Sequence, residues 1–534
     1  LLTSEAVHTP YVADRIFVCS VLESEGFVQL NNSFANYFTT RYGMAAEGRL
    51  NPFISREHGR VRFADLDLQA LAAEHGAPLE VVFCPLITEQ VHDMQHAAAE
   101  AQMRVGYNGS FVYAYASKAN FAEEAVRTAL DAGAHYETSS VADVMIATEL
   151  WRAGTLPRNR YVFCNGSKED TYIDAILRFR RAGNKHVVPV VDDLDEWAAY
   201  RRSSVALEIG VRARDYAKCA GGDRFGLLPD EIREVVDEVG STGHRLVLYH
   251  AMVGSQLEDQ DAWMGKLEAA IEAYCQLRHR VPTLRMFNFG GGMPTAAYAL
   301  DFQFDYVAFM ERLFATIKAT CERYGVPVPD VVGEFGRYTV ASHSAYVFEV
   351  GKVKRGRDGA APWYLIDGSL MVSAPDTLIV DQQFIVLPLN DWDKSAQAVQ
   401  LGGRRTCDSD DVYPRPGQEE LVLPQTDGGL LVAVFGVGAY QAMLGGKGGA
   451  HHCLNPEMTR IIVEQRGGKL VTRVVRQQSL AQIKRALGYE QPAVQRGRRR
   501  RLPVPAVRRD MWRTLGQVDG SRVGTERREA VLGS

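Results

Sequence analysis

Three short stretches of the chain end apolar runs on residues that can do chemistry. FVYAYASKANF, residues 111 to 121, closes a run of aromatic and β-preferring residues with Lys118. NFGGGMP sets Gly290, Gly291 and Gly292 behind a second run, and GEFGRY ends a third with Glu334 and Arg337. A lysine amine can bond a carbonyl covalently, and bare glycine N–H groups can approach an anion closely. With the arginine, they suit a phosphorylated ligand that carries a reactive carbonyl. Taken singly, each has an ordinary alternative: a surface lysine, a flexible loop, a solvated strand end.

The surrounding pattern decides where such residues sit. Between about residues 86 and 338, helix-like stretches such as NFAEEAVRTALDAGA alternate with short apolar runs such as RYVFCNG, HVVPVVDD and RLVLYHAMVGS. Strand and helix alternating at this pace over about 250 residues predict a (β/α)8 barrel, whose active site lies at the C-terminal ends of its strands. From 339 to about 485 the pieces become strand-like and are broken by Gly, Pro and Asp, which predicts a mostly β domain. Residues 1–85 are mixed and are expected to join the β domain in part, and GRVRFADL within them could join either unit. The stretch 486–534 contains RGRRRRLPVPAVRRD and is expected to be a disordered basic tail.

At 534 residues the chain is too long for one ordinary domain. A formal net charge of −5 gives no reason to expect nucleic acid or an anionic membrane as partner. The eight cysteines are scattered without a C-x-x-C pair, so neither a disulfide framework nor structural zinc is expected. His451, His452 and Cys453 cluster in GAHHCLNPE, but three adjacent residues cannot all face one ion on a regular element, so no metal is expected there. No apolar run reaches the roughly 18 residues of a membrane helix. The first residues lack the pattern of a secretory signal, so a cytoplasmic location is expected.

The ordered set of motifs resembles the fold-type III pyridoxal-phosphate (PLP) decarboxylases, the class of the ornithine, diaminopimelate and biosynthetic arginine decarboxylases. YAYASKAN, HYETSSVADV, FCNGSKED, GVRAR, RFGL, HAMVGSQ, NFGGGMP and GEFGRY follow in that family's order, and IDGSLMVSAPD, FIVLPL, RRTCDSDD and FGVGAYQ come after them. The likeness runs from about residue 80 to 450. It implies an alanine-racemase-like barrel joined to a C-terminal β-sandwich or Greek-key domain.

Carried over residue by residue, the resemblance makes Lys118 the residue bonded to the PLP aldehyde, its ammonium disfavoured by the barrel interior. Gly290, Gly291, Gly292, Arg337 and Tyr440 would hold the phosphate end, and Ser255 would also bind the cofactor. Glu334 would pair with the pyridine nitrogen and make the ring an electron sink, and Glu137 matches an acidic position near the cofactor. Cys407 would reach across a homodimer interface as general acid. Asp408 and Asp367 match positions that bind the distal cation of a diamino acid.

The implied activity is decarboxylation of a basic L-amino acid, arginine first and ornithine or lysine next, with a place in polyamine biosynthesis. A carboxylate at Glu334 favours decarboxylation over racemisation. Alternatives are a decarboxylase of diaminopimelate or of a conjugated amino acid, and an inactive regulatory homologue. The chain departs from the family at Met252, where a ring-stacking histidine is usual and His250 stands two residues earlier. It departs again at Asn288, where aspartate is common, and at Phe335, where proline is common.

Overall fold

The computed structural model describes residues 32–214, 216, 223–405 and 411–489. Eight parallel strands close a barrel: β1 (Phe111–Ala116), β2 (His135–Thr138), β3 (Val162–Cys164), β4 (Val187–Val191), β5 (Glu208–Ala213), β6 (Arg245–Ala251), β7 (Met286–Asn288) and β8 (Asp330–Phe335). β8 returns to pair with β1, Glu334 standing opposite Ala114. These strands are short, Val/Ile/Phe/Tyr-rich and almost wholly buried, as strands covered on both sides must be. The helices between them carry polar outer faces and ordered caps. Helix Tyr306–Tyr324, for example, starts on Asp305, whose carboxylate accepts the Ala308 N–H at 2.9 Å, and stops at Gly325, which is left-handed at φ 63°.

The helix Pro85–Val105 precedes β1 and packs against Tyr306–Tyr324, completing the outer ring. The strand before it, Leu79–Phe83, belongs elsewhere. It lies between β9 (Ser344–Lys354) and the long hairpin strand Thr459–Arg466 in a ten-stranded sheet, antiparallel to the first and parallel to the second. The β domain is therefore built from both sides of the barrel in sequence. GRVRFADL pairs with neither of the two main sheets. Arg60–Phe63 sits inside its own four-stranded antiparallel sheet, formed by residues 48–67. The basic tail, 486–534, lies outside the described residues beyond 489; its first residues end the helix Leu480–Ala486 and form the turn that follows it.

Two contacts clamp the β domain onto the C-terminal ends of the barrel strands. Asn120, just past β1, donates from Nδ2 to the Gly438 carbonyl at 2.8 Å, and the Tyr440 N–H donates to the Ala119 carbonyl at 2.7 Å. In FGVGAY, a side chain at Gly438 would collide with the Val340 carbonyl at 1.9 Å, so glycine is what allows the domains to touch.

Candidate active site

Lys118 stands in a single helical turn, Ser117–Ala119, at the C-terminal end of β1. The turn is anchored from below. The Ser117 hydroxyl donates to Asp143 Oδ2 at 2.6 Å, and the Tyr136 hydroxyl donates to Asp143 Oδ1 at 2.7 Å. Held in this way, the lysine side chain reaches into a cavity of about 530 Å³. Glu137, Ser255, Gly291, Gly292, Glu334, Arg337 and Tyr440 line the same cavity, so residues separated by more than 300 positions meet at one site.

Two carboxylates form the base. Asn165, at the end of β3, donates from Nδ2 to Glu137 Oε1 and to Glu334 Oε2, both at 2.9 Å. Asn288 donates from Nδ2 to Glu334 Oε1 at 2.7 Å. Burial pushes the Glu334 carboxyl up, but His250 in its protonated form, the two amides and Lys118 outweigh it and hold the group below the usual carboxylate range. Glu137 has the opposite outcome: burial, with Glu334 nearby, raises it to about 7 despite Lys118. Adjacent carboxyls thus carry different protonation preferences near neutral pH.

Lys118 corrects one expectation. Glu137 raises its pKa, helped by Tyr440 and Glu334, and this outweighs the burial that would favour the neutral amine. The ammonium is the resting form here because two acids face it.

Above the base, the glycine loop and the loop after β6 interlock. A Cβ on Gly291 would lie 2.0 Å from the Glu334 carbonyl oxygen, and one on Gly292 would lie 2.3 Å from the Gly254 carbonyl oxygen. The Gln256 N–H donates to the Gly292 carbonyl at 2.7 Å, which fixes Ser255 at the rim. The N–H groups of Gly291 and Gly292 have no acceptor among the described residues. Arg337 closes this side, its guanidinium 4.6 Å from the Tyr440 ring centroid. Tyr440 itself holds φ at 68°, a region that side chains other than glycine rarely adopt, and such strain is characteristic of functional positions.

Some expected residues are not brought here. Asp367 is absent from the lining; its Oδ1 accepts the Glu349 N–H at 2.9 Å and ties two strands of the β domain together. Cys407 and Asp408 lie outside the described residues. His451 donates from Nδ1 to the Gly445 carbonyl at 2.9 Å and faces Glu457, a local loop contact. Phe335 fills the barrel against Tyr113, ring centroids 4.6 Å apart.

Other site residues went unassigned in the sequence. Asn165 sits in the CNG motif, where an amide after a buried strand and before a glycine was the available signal. Asp376, in SAPD, pairs with Arg337. Arg212, Arg224 and Phe225 form one wall, the two guanidinium carbons 5.0 and 4.4 Å from the ring centroid. Met252 lines the cavity beside His250, whose ring is held neutral, its pKa lowered to about 4 by burial.

An eight-stranded parallel barrel with a lysine, a glycine loop and a buried carboxylate at its C-terminal end is the architecture of the fold-type III decarboxylases. Residues 87–341 match the family model of the pyridoxal-dependent decarboxylase, pyridoxal binding domain. The chain is similar to these enzymes, with biosynthetic arginine decarboxylases among the proteins it matches. It is 28% identical over 321 residues to arginine decarboxylase 1 of Oryza sativa subsp. japonica, covering 54% of this chain and 45% of that protein. Arginine decarboxylase 2 of Arabidopsis thaliana is 23% identical, over 77% of this chain and 73% of its own. The chain thus spans less than half the length of several of the curated relatives it matches. Among solved structures, the biosynthetic arginine decarboxylase of Campylobacter jejuni superposes with a TM-score of 0.72 at 19% identity, over 85% of this chain and 91% of that one. Diaminopimelate decarboxylase of M. jannaschii gives 0.67 at 19%, over 83% and 99%. These likenesses define the fold.

The residues present fit a pyridoxal cofactor. Four polar atoms around the cavity base are buried and unpartnered: Glu137 Oε2, Asn165 Oδ1 and both ring nitrogens of His250. Buried polar groups are normally satisfied, so a polar heterocycle is what this base lacks. The uncommitted glycine N–H groups suit a phosphate at the other end. Among the described residues, no helix is long and apolar enough to cross a membrane.

Proposed function

We propose that the protein is a PLP-dependent decarboxylase of a basic L-amino acid, arginine first and ornithine or lysine next. The observation that carries this reading is the convergence of Lys118, the glycine loop and the ionised Glu334 on one cavity. Bound PLP supplies an electron sink for the carbanion left when carbon dioxide departs. Lys118 would bond its aldehyde and yield that place to the substrate amine. Glu137, the acid that acts most strongly on the Lys118 ammonium, would be the group to take its proton. Glu334 would hold a proton on the ring nitrogen, and Gly291, Gly292 and Tyr440 would hold the phosphate.

The distal end of the substrate needs a partner from elsewhere. Among the described residues the carboxylates lining the cavity are Glu137 and Glu334, and both are committed at its base. A homodimer in which Cys407 and Asp408 complete the other subunit's site supplies both a proton donor and a cation-binding acid. A cytoplasmic setting suits reduced thiols in this role, although one relative is described as chloroplastic.

A second reading, a substrate such as diaminopimelate with a distal carboxylate, is favoured by Arg224. It stacks on Phe225 in the cavity wall and has no carboxylate partner among the described residues. One experiment separates the two: mass spectrometry of products after the PLP-loaded protein meets L-arginine, L-ornithine, L-lysine and meso-diaminopimelate together. An amine lighter than one substrate by carbon dioxide establishes the reaction and its branch. No product from a cofactor-loaded protein would overturn both readings of the substrate.

A further inference from the structure

Asn288, the last residue of β7, makes two hydrogen bonds in different directions. Its Nδ2 donates to Glu334 Oε1 at 2.7 Å, and its Oδ1 accepts the Gly290 N–H at 2.8 Å. The Glu334 N–H in turn donates to the Gly290 carbonyl at 2.7 Å. Carboxylate, amide and glycine loop therefore close a ring of three short hydrogen bonds. Asn288 is 0% exposed and Glu334 8%, so water cannot replace these bonds when one is lost. Asn165 extends the ring from the other oxygen of Glu334 to Glu137, beside Lys118.

We propose that Asn288 is a positioning residue that joins Glu334 and the glycine loop 290–292 into one unit, so that the ring-facing acid and the phosphate-facing backbone are placed together. The amide is essential to this joint. An ionised aspartate could still accept from Gly290, but it has no proton for Glu334 and would set a second negative charge against it. Lys118, Glu137 and His250 are the other titratable groups facing that carboxylate. The inference rests on the pyridoxal-binding reading of the cavity.

The test is a binding cycle, with the dissociation constant for pyridoxal 5′-phosphate read from its absorbance and protein fluorescence. Asn288→Ala is expected to weaken binding at least tenfold, the size of a lost hydrogen bond to a charged group, about 1.4 kcal/mol per factor of ten. In a Glu334→Ala background the same change is expected to cost several-fold less, because the carboxylate it positions is gone. Equal cost in both backgrounds overturns the proposal and leaves Asn288 as mere filling.

Asn288→Asp, nearly the same shape, gives a readout that survives poor folding of the alanine variant. Its binding deficit should shrink as the pH falls and the two carboxyls come to share a proton; a deficit independent of pH overturns the proposal. Failure of the unaltered protein to bind the cofactor at all would be a different result, and would remove the site reading on which the joint depends.

Discussion

Arg337, in the turn after β8, donates from Nη1 to Asp376 Oδ2 at 3.0 Å, so that a barrel arginine and a β-domain aspartate are joined at the edge of the cavity. The aspartate side chain is 3% exposed and also accepts from Gln441 Nε2 at 3.0 Å, next to Tyr440. The guanidinium on the phosphate side is thereby held in place by the other domain.

Asp376→Ala removes one member of a buried pair and leaves the other uncompensated, which costs about 3 kcal/mol or more. Chemical denaturation should show this loss, and inorganic phosphate should restore more stability to the variant than it adds to the parent, because an anion replaces the missing carboxylate. Equal effects of phosphate on the two proteins would mean that Arg337 does not face the anion.

Lys118, whose side chain is exposed in the open cavity, and the buried Lys168 should separate cleanly. Lys168 Nζ lies 2.8 Å from Glu196 Oε1 and donates to the Gly166 and Val190 carbonyls, leaving no capacity for chemistry. Lys118→Ala should abolish the visible absorbance of the lysine-bound cofactor while the circular dichroism is retained. Lys168→Met should keep that absorbance and lose about 3 kcal/mol of stability, because Glu196 is then buried alone. The reverse pattern of spectra would move the reactive amine from Lys118.

Much of this site was legible because barrel chemistry is local in sequence: a functional residue follows an apolar run, as Lys118, Gly290 and Glu334 do. Tyr440 was legible only through the ordered motifs, since nothing in FGVGAY announces a backbone at φ 68°. What remained hidden was the connection between elements. Asn165 bridges Glu137 and Glu334 from a third strand, and no spacing along the chain encodes that meeting. In sequence Asp376 is only part of a motif, while Asp367, nine residues earlier in the same stretch, matches a substrate-contact position. The fold sends the second to a strand-to-strand hydrogen bond and the first to Arg337. The four-stranded sheet around GRVRFADL escaped for a similar reason, because alternating short strands specify a sheet but not which one.

The carboxyl of Glu137, raised from 4.5 to about 7, sets a pH dependence for the cofactor-free protein. A group raised by folding adds stability that is fully present below its unfolded value and is lost as the pH rises through the folded one. That loss falls between 4.5 and about 7, and Glu196, also raised to about 7, adds to it. His250, lowered to about 4, works in the opposite sense: its contribution is present above 6.5 and is lost as the pH falls through about 4. Glu137→Gln should flatten the decline between about pH 4.5 and about pH 7, by on the order of 3 kcal/mol at most. Urea unfolding across that range checks it, and an unchanged slope would place the titration elsewhere.

Gly291 offers the sharpest steric test of the cradle. Its missing Cβ would lie 2.0 Å from the Glu334 carbonyl oxygen, far inside contact distance, and the obstacle is backbone rather than a side chain that could swing away. Gly291→Ala must therefore push the loop off β8, and with it the N–H groups of Gly291 and Gly292. The cofactor should then bind at least tenfold more weakly, as expected for the loss of hydrogen bonds to a charged group. Pyridoxal without its phosphate should be affected much less, because the displaced groups face the anion. Titrating both compounds into parent and variant gives the comparison, and equal losses for the two would show that the loop does not hold the phosphate.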